Sequence, residues 1–252
     1  MSISKNKHTF PWGIYIGNLM DNGNKLPLYL SSSQGGFSVI FDDKSELNAN
    51  NFIENISLKL FEALPVQDIV VDVFDFSYKK RFIDLSLLKD KNLYRISLTP
   101  EDANSRFTEL EKISLYRHHE LLSPTIKSIS DFNQVNKRIE TYHLLLINLD
   151  HLPNNLSKSQ KLKEFFETAY EVGFYTIAFG HKNTLETKQN EIQQIINKYP
   201  LIEFKNRKIV FTKKSFEFYD LTQQYEFKHI DDDKTKIVEK ILQTIQIKDE
   251  MI

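Results

Sequence analysis

Lys44 and Ser45 stand side by side just after an apolar run, Phe37 to Phe41, and just before an amphipathic stretch. A phosphate-binding loop of the form G-x-x-x-x-G-K-[ST] occupies that setting, with backbone N–H groups cradling phosphates while the lysine and the hydroxyl meet phosphate and magnesium. The turn here reads Asp42-Asp43-Lys44-Ser45-Glu46-Leu47-Asn48-Ala49-Asn50 and holds no glycine. If Lys44-Ser45 is the remnant of the lysine–hydroxyl pair, Asp43 takes the obligatory glycine position and the loop is too short to wrap a phosphate. If the loop keeps its full length, Asn48 or Ala49 stands where the lysine belongs. In either register Asp42, Asp43 and Glu46 bring negative charge to the phosphate position. Like unit charges about 4 Å apart repel by about 1 kcal/mol in water and about 4 kcal/mol at an effective dielectric near 20. The turn therefore predicts a degenerate phosphate loop, and neither ATP nor magnesium is expected on it.

The run His143 to Ile147 leads to a second position where chemistry is expected. In a nucleotide hydrolase such a strand ends in Asp for the magnesium shell, often followed by Glu to polarise the attacking water. Asn148 and Leu149 hold those positions, and Asp150 comes one or two residues late. Asn148 can hydrogen-bond a metal-bound water but brings no charge, and Leu149 cannot act as a base. Asp150 reads either as a shifted ligand or as a solvent-facing turn residue. His118-His119 are adjacent, so on a helix they point about 100° apart and miss the i, i+4 spacing of a metal helix. Asp72 and Asp75 face opposite sides of a strand and form no acid/base pair unless Asp75 lies beyond the strand end. Lys205, Arg207, Lys208, Lys213 and Lys214 interleave with aromatics from Phe204 to Tyr219. That pattern suits single-stranded nucleic acid or a solvated face whose lysines discourage edge pairing.

The elements that must hold these residues follow from periodicity. Phe37 to Phe41, Ile69 to Phe74, Tyr94 to Leu98, His143 to Ile147 and Phe174 to Phe179 read as strands, several apolar throughout and so buried on both faces. Helical stripes lie at Ile53, Ile56, Leu60 and Leu64; Leu162, Phe165, Phe166 and Ala169; Ile192, Ile195, Ile196 and Tyr199; and Val238, Ile241, Leu242 and Ile245. Strands alternating with helices imply βαβ units and a three-layer α/β fold with a mainly parallel sheet. In such a sheet ligands bind beyond the carboxyl ends of the strands, which points to the turns after Phe41, Phe74, Ile147 and Phe179. The expected organisation is one domain over 1–252: a lead-in hairpin at 11–34, a core at 37–200, then antiparallel edge strands and a C-terminal helix at 201–252. Asp231 to Asp233 are placed to cap that last helix.

Composition removes several function classes. The chain has 252 residues, 40% of them hydrophobic, with a formal net charge of -1, so it lacks the net basic surface needed to wrap nucleic acid or coat an anionic membrane. No cysteine means no disulfide scaffold, thiolate nucleophile or Cys-ligated zinc, and fits a cytosolic chain. No apolar run reaches the roughly 18 to 20 residues of a spanning helix, and neither a signal peptide nor an anchor is visible. There are 7 glycines, and none lies between Gly36 and Gly173, the interval that contains the phosphate turn.

The order of features resembles the FtsK/SpoIIIE family of P-loop motor ATPases over nearly the whole chain. Tyr15-Ile16-Gly17 through Leu26-Pro27-Leu28-Tyr29-Leu30 is similar to the family's lead-in "G-x-D-x-x-G-x-P-hydrophobic", and Val71 to Phe76 to its strand ending in "I-D-F". Arg117 with Ile129-Ser130-Asp131-Phe132-Asn133 resembles "R…I-x-x-[YF]-N", and Tyr170 to Gly180 resembles "R-x-x-G-I-H-L-x-x-A-T-Q". Tyr170 stands where the family carries Arg, and Phe179-Gly180 where it carries Thr-Gln. The resemblance implies a RecA-like P-loop NTPase fold and, with these departures, a non-hydrolysing member without catalytic residues. It is nearest to the third ATPase-like domain of a type VII secretion coupling protein, a cytoplasmic domain of a membrane-anchored bacterial protein. Its implied partners are other ATPase domains of the same polypeptide and secreted helical WXG-type substrates, with no nucleic acid and no membrane insertion of this segment. A groove on the helix carrying Phe52, Ile53, Ile56 and Phe61 is the candidate docking place for a partner helix.

Overall fold

The computed structural model describes residues 8–152, 160–187 and 198–250. The chain opens with an antiparallel hairpin, β1 (Gly13–Asp21) and β2 (Asn24–Ser31), turned by Asn22-Gly23 with both residues at positive φ. The main sheet begins with β3 (Gly36–Phe41) and continues with β4 (Ile69–Phe74), β5 (Tyr94–Ser97), β6 (Tyr142–Asn148), β7 (Phe174–His181), β8 (Leu201–Lys205) and β9 (Lys208–Val210). Its seven strands run in the order β5-β4-β6-β7-β3-β8-β9, and every neighbouring pair is parallel except β8 with β9. The last strand, β10 (Glu226–His229), leaves that sheet and pairs antiparallel with β1, giving a second sheet of order β10-β1-β2.

Connecting helices are α1 (Glu46–Ala63), α2 (Pro100–Tyr116), α3 (Ile129–Val135), α4 (Gln160–Thr168), α5 (Lys182–Thr187), α6 (Tyr219–Gln224) and α7 (Lys234–Glu250). Alternate strand residues feed two cores, as a sheet covered on both faces requires. From β6, Tyr142, Leu144 and Leu146 join α1 and α7 on one side, while Leu145 and Ile147 meet Ala103 and Leu110 of α2 and Phe166 of α4 on the other. Arg106 of α2 reaches Asp72 at 2.7 Å, and Asp72 also bonds His143 Nδ1 at 2.8 Å, so one buried carboxylate ties α2 to β4 and β6. Burial lowers the His143 pKa, against the raising effect of Asp72.

Several expectations change. β8 is parallel to β3 and interior, and only β9 forms the antiparallel edge. Phe216 and Phe218 lie in a loop before α6. The apolar side of α1 offers no docking groove, because Phe52, Ile53, Ile56 and Phe61 are at most 2% exposed in the core under β1 and α7. The helical stripe at Ile192, Ile195 and Ile196 falls outside the described residues. Asp233 does cap α7, accepting the Lys236 N–H at 3.3 Å. Among the described residues no helix is long and apolar enough to cross a membrane.

Candidate functional site

The carboxyl edge of the large sheet gathers the turns after β3, β4, β6 and β7. After β3 the chain takes only four residues, Asp42 to Ser45, before α1 starts at Glu46. Asn48 and Ala49 lie in the first turn of α1, and Ala49 is buried. The turn closes on itself: Ser45 N–H donates to the Asp42 carbonyl at 2.9 Å, and Ala49 N–H to the Ser45 carbonyl at 2.9 Å. In a phosphate cradle such N–H groups face the ligand. Lys44 is exposed and Ser45 fully buried.

The β8–β9 hairpin caps this turn. Its two-residue bend, Asn206 and Arg207, has φ of 51° and 66°, the doubly left-handed form that matches the twist of paired strands. Asn206 N–H donates to Asp42 Oδ2 at 2.8 Å, and Arg207 N–H to Ser45 Oγ at 2.8 Å. The Ser45 hydroxyl and the Asn206 N–H hold the Asp42 pKa below its ordinary value. Backbone donors thus converge on oxygens of the protein itself.

After β4, Asp75 lies one residue beyond the strand end, 2% exposed. Its Oδ1 accepts from Ser77 N–H at 2.9 Å and from Asn148 Nδ2 at 2.7 Å; its Oδ2 accepts from Arg81 Nε at 2.9 Å. The Arg81 side chain is only 3% exposed. It also pairs with Glu46 in the first turn of α1 and lies 5.9 Å over the Phe179 ring. Lys79 Nζ meets the same Glu46 carboxylate at 2.8 Å. Burial pushes the Glu46 pKa up, but the hydrogen bonds from Lys79 and Arg81 outweigh it and leave it lowered. Asp72 is elsewhere, bound to His143 and Arg106, so the two aspartates are not a pair.

At the end of β6, Asn148 uses both ends of its amide: Nδ2 donates to Asp75, and Oδ1 accepts Asp150 N–H at 3.0 Å. Leu149 is buried, its N–H donating to the Phe179 carbonyl at 2.8 Å. Asp150 Oδ1 accepts His181 N–H at 2.7 Å, and His181 Nε2 lies 2.8 Å from Asp43 Oδ1. A Cβ at Gly180 would come within 3.0 Å of Asp150 Oδ1 and 3.2 Å of Leu149 Cβ, so any larger side chain there would press on that turn.

The structure therefore brings together Asp42, Asp43, Ser45, Asn148, Asp150, Phe179 and the backbone of Gly180. It leaves Tyr170 out: that residue packs against Gly35 and sits 3.4 Å from Ser32 Oγ, at the amino edge of the sheet. Arg117 is likewise a scaffold residue, buried and bound to the Val172 and Thr141 carbonyls at 2.7 Å. His118 and His119 join no metal cluster; among the described residues no group of three or more metal-binding side chains occurs. Sequence reasoning missed Arg81, Lys79, His181 and the Asn206-Arg207 bend. The only available signal was the basic run Lys79-Lys80-Arg81 beyond an apolar strand.

Solved structures give the comparison. EssC (ATPases 2 and 3) from Geobacillus thermodenitrificans matches 97% of this chain and 50% of its own at a TM-score of 0.63 and 10% identity. The cytoplasmic domain of the Thermomonospora curvata type VII secretion ATPase EccC matches 81% of this chain and 22% of its own at 0.57 and 16% identity. The chain shares the fold of these secretion ATPases. A further match is T. curvata EccC (ATPases 2 and 3) in complex with a signal sequence peptide, over 77% of this chain and 34% of that one, at 0.55 and 15% identity. The chain thus spans half or less of the length of these proteins. Neither a protein-family profile nor a curated protein matches the sequence.

Proposed function

We propose that this chain is a catalytically degenerate ATPase-like domain of a type VII-like secretion coupling protein, acting in substrate recognition and in regulation of neighbouring motor domains. The observation that carries it is the Arg81 network. A buried guanidinium shared by Glu46 and Asp75 occupies the edge between the phosphate turn and the β6 end, with Asn148 and the 206–207 bend using the remaining polar groups. Magnesium–nucleotide does not fit these residues. The Asp75 carboxylate is committed to Arg81 and Asn148, the Ser45 oxygen to Arg207 N–H, and the β3 turn presents Asp42 and Asp43 where phosphate charge would come.

The likeness to EssC and EccC supports the secretion context, a cytoplasmic location and companion ATPase domains in the same polypeptide; a membrane anchor elsewhere in that polypeptide is part of the proposal. The signal sequence peptide bound to EccC supports contact with secreted protein substrates, and helical WXG-type proteins are the class proposed. An active ATPase working through Lys44, Ser45 and Asp150 is disfavoured by the buried Ser45, and a DNA-contacting role by the charge balance. A pull-down with purified secreted helical proteins, with duplex DNA as competing bait and with or without magnesium-ATP, tests the reading. Capture of helical protein regardless of nucleotide is expected. Capture that requires ATP, or capture of DNA alone, contradicts it.

A further inference from the structure

The basic run of the late chain folds into two groups at opposite ends of the sheet. Lys205, Arg207 and Lys208 surround the hairpin bend at the carboxyl edge, whereas the return of β9 carries Lys213 and Lys214 to the amino edge. There Leu201 N–H donates to the Lys214 carbonyl at 2.9 Å, and Ser215 Oγ donates to the Leu201 carbonyl. These bonds fix Lys213 and Lys214 opposite Lys198, across a cleft of about 290 Å³ that Tyr199, Phe216 and Glu217 also line. That size suits a ligand part of two or three residues, at the small end of binding pockets.

Charge in the cleft is not balanced. None of the three lysines lies within ion-pair distance of a carboxylate among the described residues, and Glu217 is the one acid in the lining. Partial desolvation lowers the Lys198 pKa, with Glu167 too weak an influence to restore it. An ammonium held this way gains by receiving an anion. The lining also selects among anions. Tyr199 is buried with Lys198 Nζ 5.8 Å over its ring, and Phe216 is part-buried against Phe211 at 5.1 Å, so no aromatic side chain of the lining stands fully exposed for a base to stack on. Lysines are compact point charges that need no bidentate geometry.

We infer that this amino-edge cleft is a carboxylate-binding site that takes an acidic segment of a protein partner. The inference rests on the reading of the chain as a binding module and adds the surface it uses. Fluorescence anisotropy of labelled hexaglutamate with the whole chain tests it, against unlabelled oligothymidylate and inorganic phosphate as competitors. Both K213Q/K214Q and K198Q are expected to keep the wild-type unfolding midpoint; the double variant should bind hexaglutamate about tenfold more weakly and K198Q about threefold, since each lost contact is an exposed charge pair. The K205Q/K208Q protein is expected to bind like wild type. Equal loss in both double variants, or displacement by oligothymidylate or phosphate at concentrations where hexaglutamate itself binds, overturns the site. The pull-down separates the two readings: helical protein captured undiminished by K213Q/K214Q leaves the binding module in place and removes only this surface.

Discussion

The two ends of the parallel sheet treat charge in opposite ways. At the carboxyl edge Arg81, Glu46, Asp75, Lys79 and Asn148 are joined to one another, the key guanidinium is buried, and backbone donors end on Asp42 and Ser45. At the amino edge three lysines face a cleft with a single acid among its lining. A folded chain pays little for exposed unpaired lysines, but buried charge survives only when paired. The carboxyl edge, where α/β proteins hold ligands, is therefore the end where most charge is paired within the chain, with Asp42 Oδ1 left buried without a hydrogen-bond partner. The amino edge, which usually holds none, is the end with charge left to offer.

The largest break in that contrast is Arg81→Ala. It leaves Asp75 buried without its cation, and denaturant unfolding should show a loss of about 3–5 kcal/mol. The K213Q/K214Q protein should lie within about 0.5 kcal/mol of wild type in the same assay. Similar losses in the two would erase the distinction between the ends. Asn148→Asp is the next test. An acid there would set two carboxylates about as close as the present 2.7 Å amide bond, and should cost about 2 kcal/mol near neutral pH. The deficit should shrink in acid, as the pair takes up a shared proton. A neutral or stabilising outcome would mean that Asp75 is not what fixes Asn148. Ser45→Ala, which removes the acceptor for Arg207 N–H and a donor to Asp42, should cost about 1 kcal/mol and speed amide exchange at 206–207.

The smallest effect is in pH. Asp42 and Glu46 both have lowered pKa values in the folded chain. Their contribution is complete above the unfolded values, about 3.8 and 4.5, and is lost as pH falls through the lower folded ones. Urea titrations between neutral pH and about pH 3 should show this loss for wild type and less of it for Asp42→Asn.

These contrasts also mark what the sequence could and could not reveal. Ile69 to Phe74, apolar but for Asp72, and the run Leu144 to Ile147 are short β-rich segments, so their strands are legible, as are the turns that follow them. The glycine-free turn after Phe41 is legible as a short turn, and the structure gives it four residues before α1. α2 was missed because few of its residues are buried, although Thr99-Pro100-Glu101-Asp102 is a strong helix start, with Thr99 Oγ1 accepting Asp102 N–H at 3.1 Å. The orientation of β8 depends on its partner, and nothing in Leu201 to Lys205 encodes that. Arg81 was invisible for a similar reason: its partners Glu46 and Asp75 come from different turns, and only the folded sheet brings them to one place. Tyr170, aligned with a family arginine, shows the converse, a motif position that the fold sends to the other edge.

We propose that the Arg81 network and the acidic β3 turn leave magnesium–nucleotide no place at the carboxyl edge. Thermal unfolding with and without saturating magnesium-ATP tests it most directly. A ligand at 100 times its dissociation constant adds about 2.7 kcal/mol, which for a chain of this size raises the midpoint by roughly 5 to 10 °C. The midpoint is expected to be the same in both conditions; a rise of several degrees would mean that nucleotide binds.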